Sequence, residues 1–254
     1  MKIHWFTLLG LCFILLSIQC TAPSFEENEN KEEEIPPEGN NNLIPDDQTD
    51  YDCLVWQGDL HKFRTEKDGS LRLYDEDEMK SSACIAAPLK TLAGTGWLFE
   101  VKYSFNPSAN NHALIWLMAD SPNLSHSVNG YFIQVGGKED RVYLYQRKND
   151  ITTLICQSGL LMKGDSSPHL QFDVRRDKNG YFIYQLSRYK ETINQEFIFK
   201  DSINSSNLFY CGIECIYTAS NCKKMRFPQF HIHHRVTDME ILEPKDFISS
   251  LSGQ

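Results

Sequence analysis

The residues best suited to recognition chemistry lie in the run Arg141-Val142-Tyr143-Leu144-Tyr145-Gln146-Arg147. On a strand, Val142 and Leu144 would face a core and leave Arg141, Tyr143, Tyr145 and Arg147 as an aromatic and basic stripe. Tyrosine rings offer apolar faces to sugar C–H groups, and arginine can pair with hydroxyls or carboxylates, so the stripe reads as a glycan platform. The plainer reading is cross-strand pairing on an outer face. Catalytic chemistry has weaker candidates. Asp75-Glu76-Asp77-Glu78 is a dense acidic run, but a glycoside hydrolase needs two carboxyls aimed into one groove. This run has no interleaved apolar residues and reads as a solvated turn. His231 and His233 would share a strand face and could hold a metal only with a further ligand; with no carboxylate partner nearby in sequence, a polar strand end is the favoured reading. The chain has no nucleophile elbow, phosphate loop or zincin helix. The expectation is a non-enzyme with no cofactor and no metal.

Of the eight cysteines, Cys12 and Cys20 belong to the leader described below, leaving Cys53, Cys84, Cys156, Cys211, Cys215 and Cys222, which allow fifteen full pairings. Cys211 and Cys215 share a strand face and read as small core residues, too far apart along the strand to bridge each other. Cys215–Cys222, across Ala219-Ser220-Asn221, is the favoured disulfide. The absence of a CxxC pair argues against a thiolate zinc site.

The elements that would carry these residues begin after a distinct N-terminus. Lys2 is followed by an apolar run from Trp5 to Leu16, then a polar stretch ending at Cys20. The run is too short and interrupted to span a membrane, and it reads as a lipoprotein signal over 1–19 with Cys20 as the lipidated residue. Ordinary secretion is the alternative. Between Thr21 and Asp50 ten acidic residues face Lys31 alone, a balance equal to the whole formal net charge of −9. Few apolar residues leave 20–50 unable to order itself, so it reads as a disordered acidic tether reaching up to about 100 Å. The expected location is the outer membrane, facing outward, with the lipid anchor as membrane partner. The remainder is near neutral, which argues against nucleic acid as a partner.

From Tyr51 to about 235 the chain reads as one β domain, with a short tail over 236–254. Strands are expected over 61–65, 71–74, 83–86, 97–105, 113–119, 131–135, 141–147, 152–157, 170–175, 181–187, 195–200, 209–217 and 224–233. Turn residues such as Lys67-Asp68-Gly69 and Asp177-Lys178-Asn179-Gly180 separate them. Trp97, Phe99, Val101 and Tyr103 alternate with polar residues, as do Leu170, Phe172 and Val174, so each of these strands should bury one face. Ala113–Ala119 is apolar on both faces and should be a covered central strand. Many short strands without helical periodicity predict an all-β fold, a two-sheet antiparallel sandwich.

The ordered landmarks Asn106-Pro107-Ser108, Ile115-Trp116-Leu117-Met118-Ala119-Asp120, 129–137 (NGYFIQVGG), 142–147 (VYLYQR) and 212–220 (GIECIYTAS) resemble a β-sandwich module of Bacteroidetes secreted proteins. That module is related to concanavalin A-like and laminin-G-like domains and is often found with lamin-tail domains. The resemblance implies a jelly-roll sandwich in a surface or secreted setting and implies no particular ligand. Phe227-Pro228-Gln229-Phe230 departs from the Phe-Asp-Asp of such modules, so roles that need those carboxylates are not carried over. The acids after Cys20 resemble surface-export signals of that group, and Asp201-Ser202-Ile203 matches its short O-glycosylation pattern. The expected function is a surface-tethered, non-catalytic binding module, with glycan bound through a concave sheet. The alternative is a structural or adhesion component of an envelope protein complex. Fold alone does not decide between them.

Overall fold

In the computed structural model the described residues are 54–92, 94–191, 195–202 and 209–234. The leader with Cys20, the tether, Cys53, Ile203 and the C-terminal tail lie outside them. Fifteen strands are described: β1 (Gln57–Gly58), β2 (Phe63–Thr65), β3 (Leu71–Leu73), β4 (Ser81–Pro88), β5 (Gly96–Tyr103), β6 (His112–Ala119), β7 (Gly130–Val135), β8 (Val142–Lys148), β9 (Ile151–Gln157), β10 (His169–Arg176), β11 (Tyr181–Arg188), β12 (Gln195–Lys200), β13 (Tyr210–Tyr217), β14 (Met225–Phe227) and β15 (Phe230–His233). Short 3-10 turns at Leu60–Lys62 and Ala219–Asn221 complete the assigned elements.

The strands form two antiparallel sheets. One runs β1-β4-β13-β6-β7-β8-β9; the other runs β12-β11-β10-β5-β14-β3-β2, with β15 also pairing β5. This is the all-β sandwich that the alternation predicts. Trp97, Phe99, Val101 and Tyr103 are buried, as are Leu170, Phe172 and Val174, and Phe99 stacks on Phe172 with ring centroids 4.6 Å apart. β6 occupies the middle of the seven-stranded sheet, with every residue after His112 buried. A bulge between Trp116 and Met118 turns both Leu117 and Met118 into the core.

Three tyrosine hydroxyls cross between the sheets. Tyr103 of β5 donates to the Val135 carbonyl at 2.7 Å and accepts the Ala113 N–H at 3.0 Å. Tyr217 of β13 donates to Asp75, just after β3, at 2.5 Å. Tyr131 of β7 donates to Asp201, just after β12, at 2.8 Å.

Several sequence expectations need correction. The strand expected over 224–233 is two, β14 and β15, because Pro228 has no N–H for the ladder and bends the chain; at the bend the Glu100 N–H donates to the Gln229 carbonyl at 2.9 Å. The strand expected over 61–65 begins as the 3-10 turn, and β1 carries too few residues to show a period. The acidic run is solvated only in part. Glu76, Asp77 and Glu78 are exposed, but Asp75 is buried, where Tyr217 and Lys62 reach it from distant sequence. The Cys215–Cys222 disulfide does not form: both are buried thiols. Cys215 faces the core in mid-strand, and Tyr217, the next inward residue, separates it along the chain from Cys222 beyond the turn.

Candidate functional site

The outer face of the seven-stranded sheet carries its own apolar layer. Register sets Ala86, Gly212, Trp116, Phe132, Tyr145 and Leu154 side by side across β4, β13, β6, β7, β8 and β9. The Trp116 and Phe132 rings lie 4.7 Å apart, and Phe132 and Tyr145 5.4 Å. Tyr143 stacks on Tyr145 at 5.9 Å. The Arg147 guanidinium lies 5.0 Å from both the Trp116 and Phe132 rings, a cation–π arrangement. Asn149 and Asp150 both have positive φ, as a two-residue hairpin requires, and this hairpin fixes β9 so that Leu154 falls opposite Tyr145.

The segment 121–129 folds over part of this face. Asp120 pins its ends by accepting the Asn129 N–H at 2.9 Å and the Asn129 side-chain amide at 2.6 Å. Leu124 and Val128 then pack into the layer. Gly212 makes room for them: a Cβ there would lie 2.6 Å from Leu124 Cδ1 and 2.4 Å from the Ile85 carbonyl oxygen. Beside it Glu214 is buried and accepts the Trp116 indole N–H at 3.3 Å. Burial holds the Glu214 carboxyl above its ordinary value, and the indole hydrogen bond and Arg147 offset part of that rise. This is one positioned carboxyl held by an indole, an arrangement that suits a structural anchor.

The face is therefore filled at its centre and open at two margins. At one, Tyr145 and Arg147 are half-buried beside the exposed Leu154. At the other, β1, Asp59, Cys84 and the segment 122–126 enclose a cleft of about 450 Å³ lined also by Asn123, Ser125 and His126. Asp59 shapes that cleft by accepting the Cys84 N–H at 2.9 Å.

Of the four stripe residues, Tyr143, Tyr145 and Arg147 lie on this face, opposite the buried Val142 and Leu144. Tyr143 is only 9% exposed. Arg141 precedes β8, where its guanidinium donates to the Ser158 carbonyl at 2.6 Å and pairs with Glu139 at 3.5 Å. The alternation of β8 places its tyrosines, but Trp116, Phe132, Glu214 and Leu124 carry no comparable sequence signal. A lone carboxylate inside the otherwise apolar Tyr210–Tyr217 run was the available hint.

The two strand histidines sit on β15 across from β5, with the His233 ring lying over Gly96, where a Cβ would come within 2.1 Å of Cε1. Burial lowers the His231 pKa. Among the described residues no three His, Cys, Asp or Glu side chains come together as a metal-ligand set.

No family model matches the chain, and no curated protein matches its sequence. Solved structures do. A legume lectin-like domain from Entamoeba histolytica is 11% identical with a TM-score of 0.51, covering 72% of this chain and 88% of its own. The exoplasmic/lumenal domain of VIP36 in a Ca2+/Man2-bound form is 11% identical with a TM-score of 0.51, covering 76% and 84%. The carbohydrate recognition domain of Emp46p, potassium-bound, is 12% identical with a TM-score of 0.50, covering 74% and 89%. Together with the two-sheet topology they define the class: the chain has a legume-lectin-like, concanavalin A-like jelly-roll fold.

Proposed function

We propose that this chain is a non-catalytic glycan-binding module, held at the outer membrane by lipidated Cys20 and its acidic tether, with sugar seated on the Tyr145 margin of the seven-stranded sheet. The observation that carries the reading is the aromatic row ending in a half-buried Tyr145 with Arg147 alongside. A ring flanked by Phe132 loses little freedom on meeting a sugar face, and the guanidinium supplies directional donors at its edge. Relatives in fold add a general precedent, since VIP36 was captured with Man2 and the Emp46p domain is a carbohydrate recognition domain.

The test is a glycan array with the full chain, followed by Tyr145→Ala. The substitution should weaken the best glycan by about ten- to thirtyfold, the loss of one central aromatic contact. Equal affinity in the variant would reject this margin, and an empty array would reject the reading. Tethering is tested separately: Cys20→Ala should move the protein from the membrane to the soluble fraction, and unchanged membrane retention would rule out lipidation there.

A second reading, a structural or adhesion component of an envelope complex, draws on β9. It is the edge of its sheet and exposes Ile151 and Leu154, the kind of edge that accepts another strand. A chain silent on the array but recovered in a stable envelope complex would favour it.

A further inference from the structure

The outer face of the other sheet carries a row of cations that register alone brings together. Arg64 of β2 stands opposite Arg72 of β3, Arg72 opposite Arg226 of β14, Arg226 opposite Lys102 of β5, and Lys102 opposite His169 of β10. Their strand neighbours Phe63, Leu73, Met225, Val101 and Leu170 are buried, so these five side chains project outward. With strands about 4.8 Å apart, the row spans roughly 19 Å. At its far end the Tyr189 ring stacks on His169 with centroids 4.0 Å apart; Tyr189 is 40% exposed, and the Lys190 ammonium lies 5.4 Å from its ring. Burial holds the His169 imidazole below its ordinary pKa, and Glu100, 2.8 Å away, offsets part of that. The strip thus passes from four fixed cations to a stacked pair of rings.

Like charges directly opposite each other destabilise a sheet, so this row has an energetic cost. Acids in the adjoining turns relieve part of it: Arg64 pairs with Glu76, Arg72 with Glu66 at 3.2 Å and Arg226 with Asp68 at 3.0 Å. Glu76 and Asp68 are mostly exposed, and exposed pairs contribute little, so a multivalent anion can displace them. Lys102, between Arg226 and His169, has no ion-pair partner among the described residues.

We propose that this row binds a linear carboxylated polysaccharide laid across β2, β3, β14, β5 and β10, one uronate to each cation, with a sugar ring against Tyr189. One cation per strand sets a positive charge about every 4.8 Å along the track, which an extended polyanion can follow. Single-stranded nucleic acid would want stacking platforms along the whole track, whereas the rings here lie at its two ends, Tyr74 against Arg64 and Arg72 and Tyr189 against His169. The surface is on the opposite side of the sandwich from Tyr145 and does not depend on that site.

The experiment is calorimetric titration of the full chain with an oligogalacturonate and with its methyl ester, which keeps the backbone and removes the charge. The acid form should bind, more weakly as salt is raised, and the ester should not. Lys102→Gln and Arg72→Gln should each weaken binding by about tenfold, one charge-assisted contact apiece, and Lys102→Gln should do so with unchanged thermal unfolding. Tyr145→Ala should leave this affinity as it was. Equal binding of the ester, indifference to both variants, loss of binding in Tyr145→Ala, or an equally tight oligonucleotide would each overturn the proposal.

Discussion

Exchanging Asp75 for alanine should lower the unfolding free energy by about 3 kcal/mol at neutral pH, since removing one partner of a buried charge pair strands the other. The Asp75 carboxylate is 3.3 Å from the Lys62 ammonium, with side-chain exposures of 3% and 16%. It also accepts the Tyr217 hydroxyl at 2.5 Å and the Asp77 N–H at 3.0 Å. Alanine leaves a cation and a phenol without their common acceptor. Burial on its own would raise the Asp75 pKa, but the Tyr217 and Asp77 hydrogen bonds and Lys62 outweigh it and hold the carboxyl below its ordinary value. A carboxyl whose pKa falls on folding stabilises above its unfolded value and loses that contribution as pH drops through the folded one. The gap between native chain and variant should therefore be full at neutral pH and close in acid. Burial and the Asp75 bond push the Tyr217 phenol upward, so it stays a donor across that range. Denaturant unfolding at several pH values checks this; a gap that is negligible, or constant with pH, would refute it. Asp75→Asn keeps an acceptor for Tyr217 and should lose less.

Tyr103→Phe should lower stability by about 2–4 kcal/mol, because one hydroxyl serves two buried backbone groups and each unpaired group costs about 1–3 kcal/mol. The Val135 carbonyl and the Ala113 N–H belong to the opposite sheet, where water does not replace the lost partner. Tyr184→Phe is the matched control. Among the described residues the buried Tyr184 hydroxyl has no hydrogen-bond partner, so deleting it removes an unsatisfied polar atom and should be neutral or stabilising. The same deletion of one oxygen is thus expected to act in opposite senses at two tyrosines. Faster hydrogen exchange at the Ala113 amide in Tyr103→Phe gives a local readout. Equal stability changes at both positions would mean that ring packing, not the hydroxyl, sets the effect.

What could be read from sequence was whatever a single strand encodes in its own alternation. Trp97 to Tyr103 and Leu170 to Val174 declare their inward faces without help, and Val142 and Leu144 place Tyr143 and Tyr145 on the other side. Register is a property of pairs of strands, and what depends on it stayed hidden. Asp75 looked solvated because its partner Tyr217 lies on another sheet, 142 positions away. Trp116 looked like ordinary core because β6 is apolar on both faces, and only its pairing with Phe132 and then Tyr145 makes a row. Each of Arg64, Arg72, Arg226 and Lys102 is unexceptional in its own strand. The Cys215–Cys222 pairing failed for a related reason: loop length suggests proximity, but the facing of β13 decides where the thiol points.

A sandwich held only by interleaved apolar side chains has little to tell one relative placement of its sheets from another displaced by one pleat repeat, since the pattern of faces is preserved. Here such a slide would break the hydroxyl bonds of Tyr103, Tyr131 and Tyr217 together. These bonds are directional and sit at separate places in the interface, so they act as a vernier: the apolar layer brings the sheets together, and the three oxygens choose the notch. The two outer faces, which share no residue, are thereby locked in one mutual alignment.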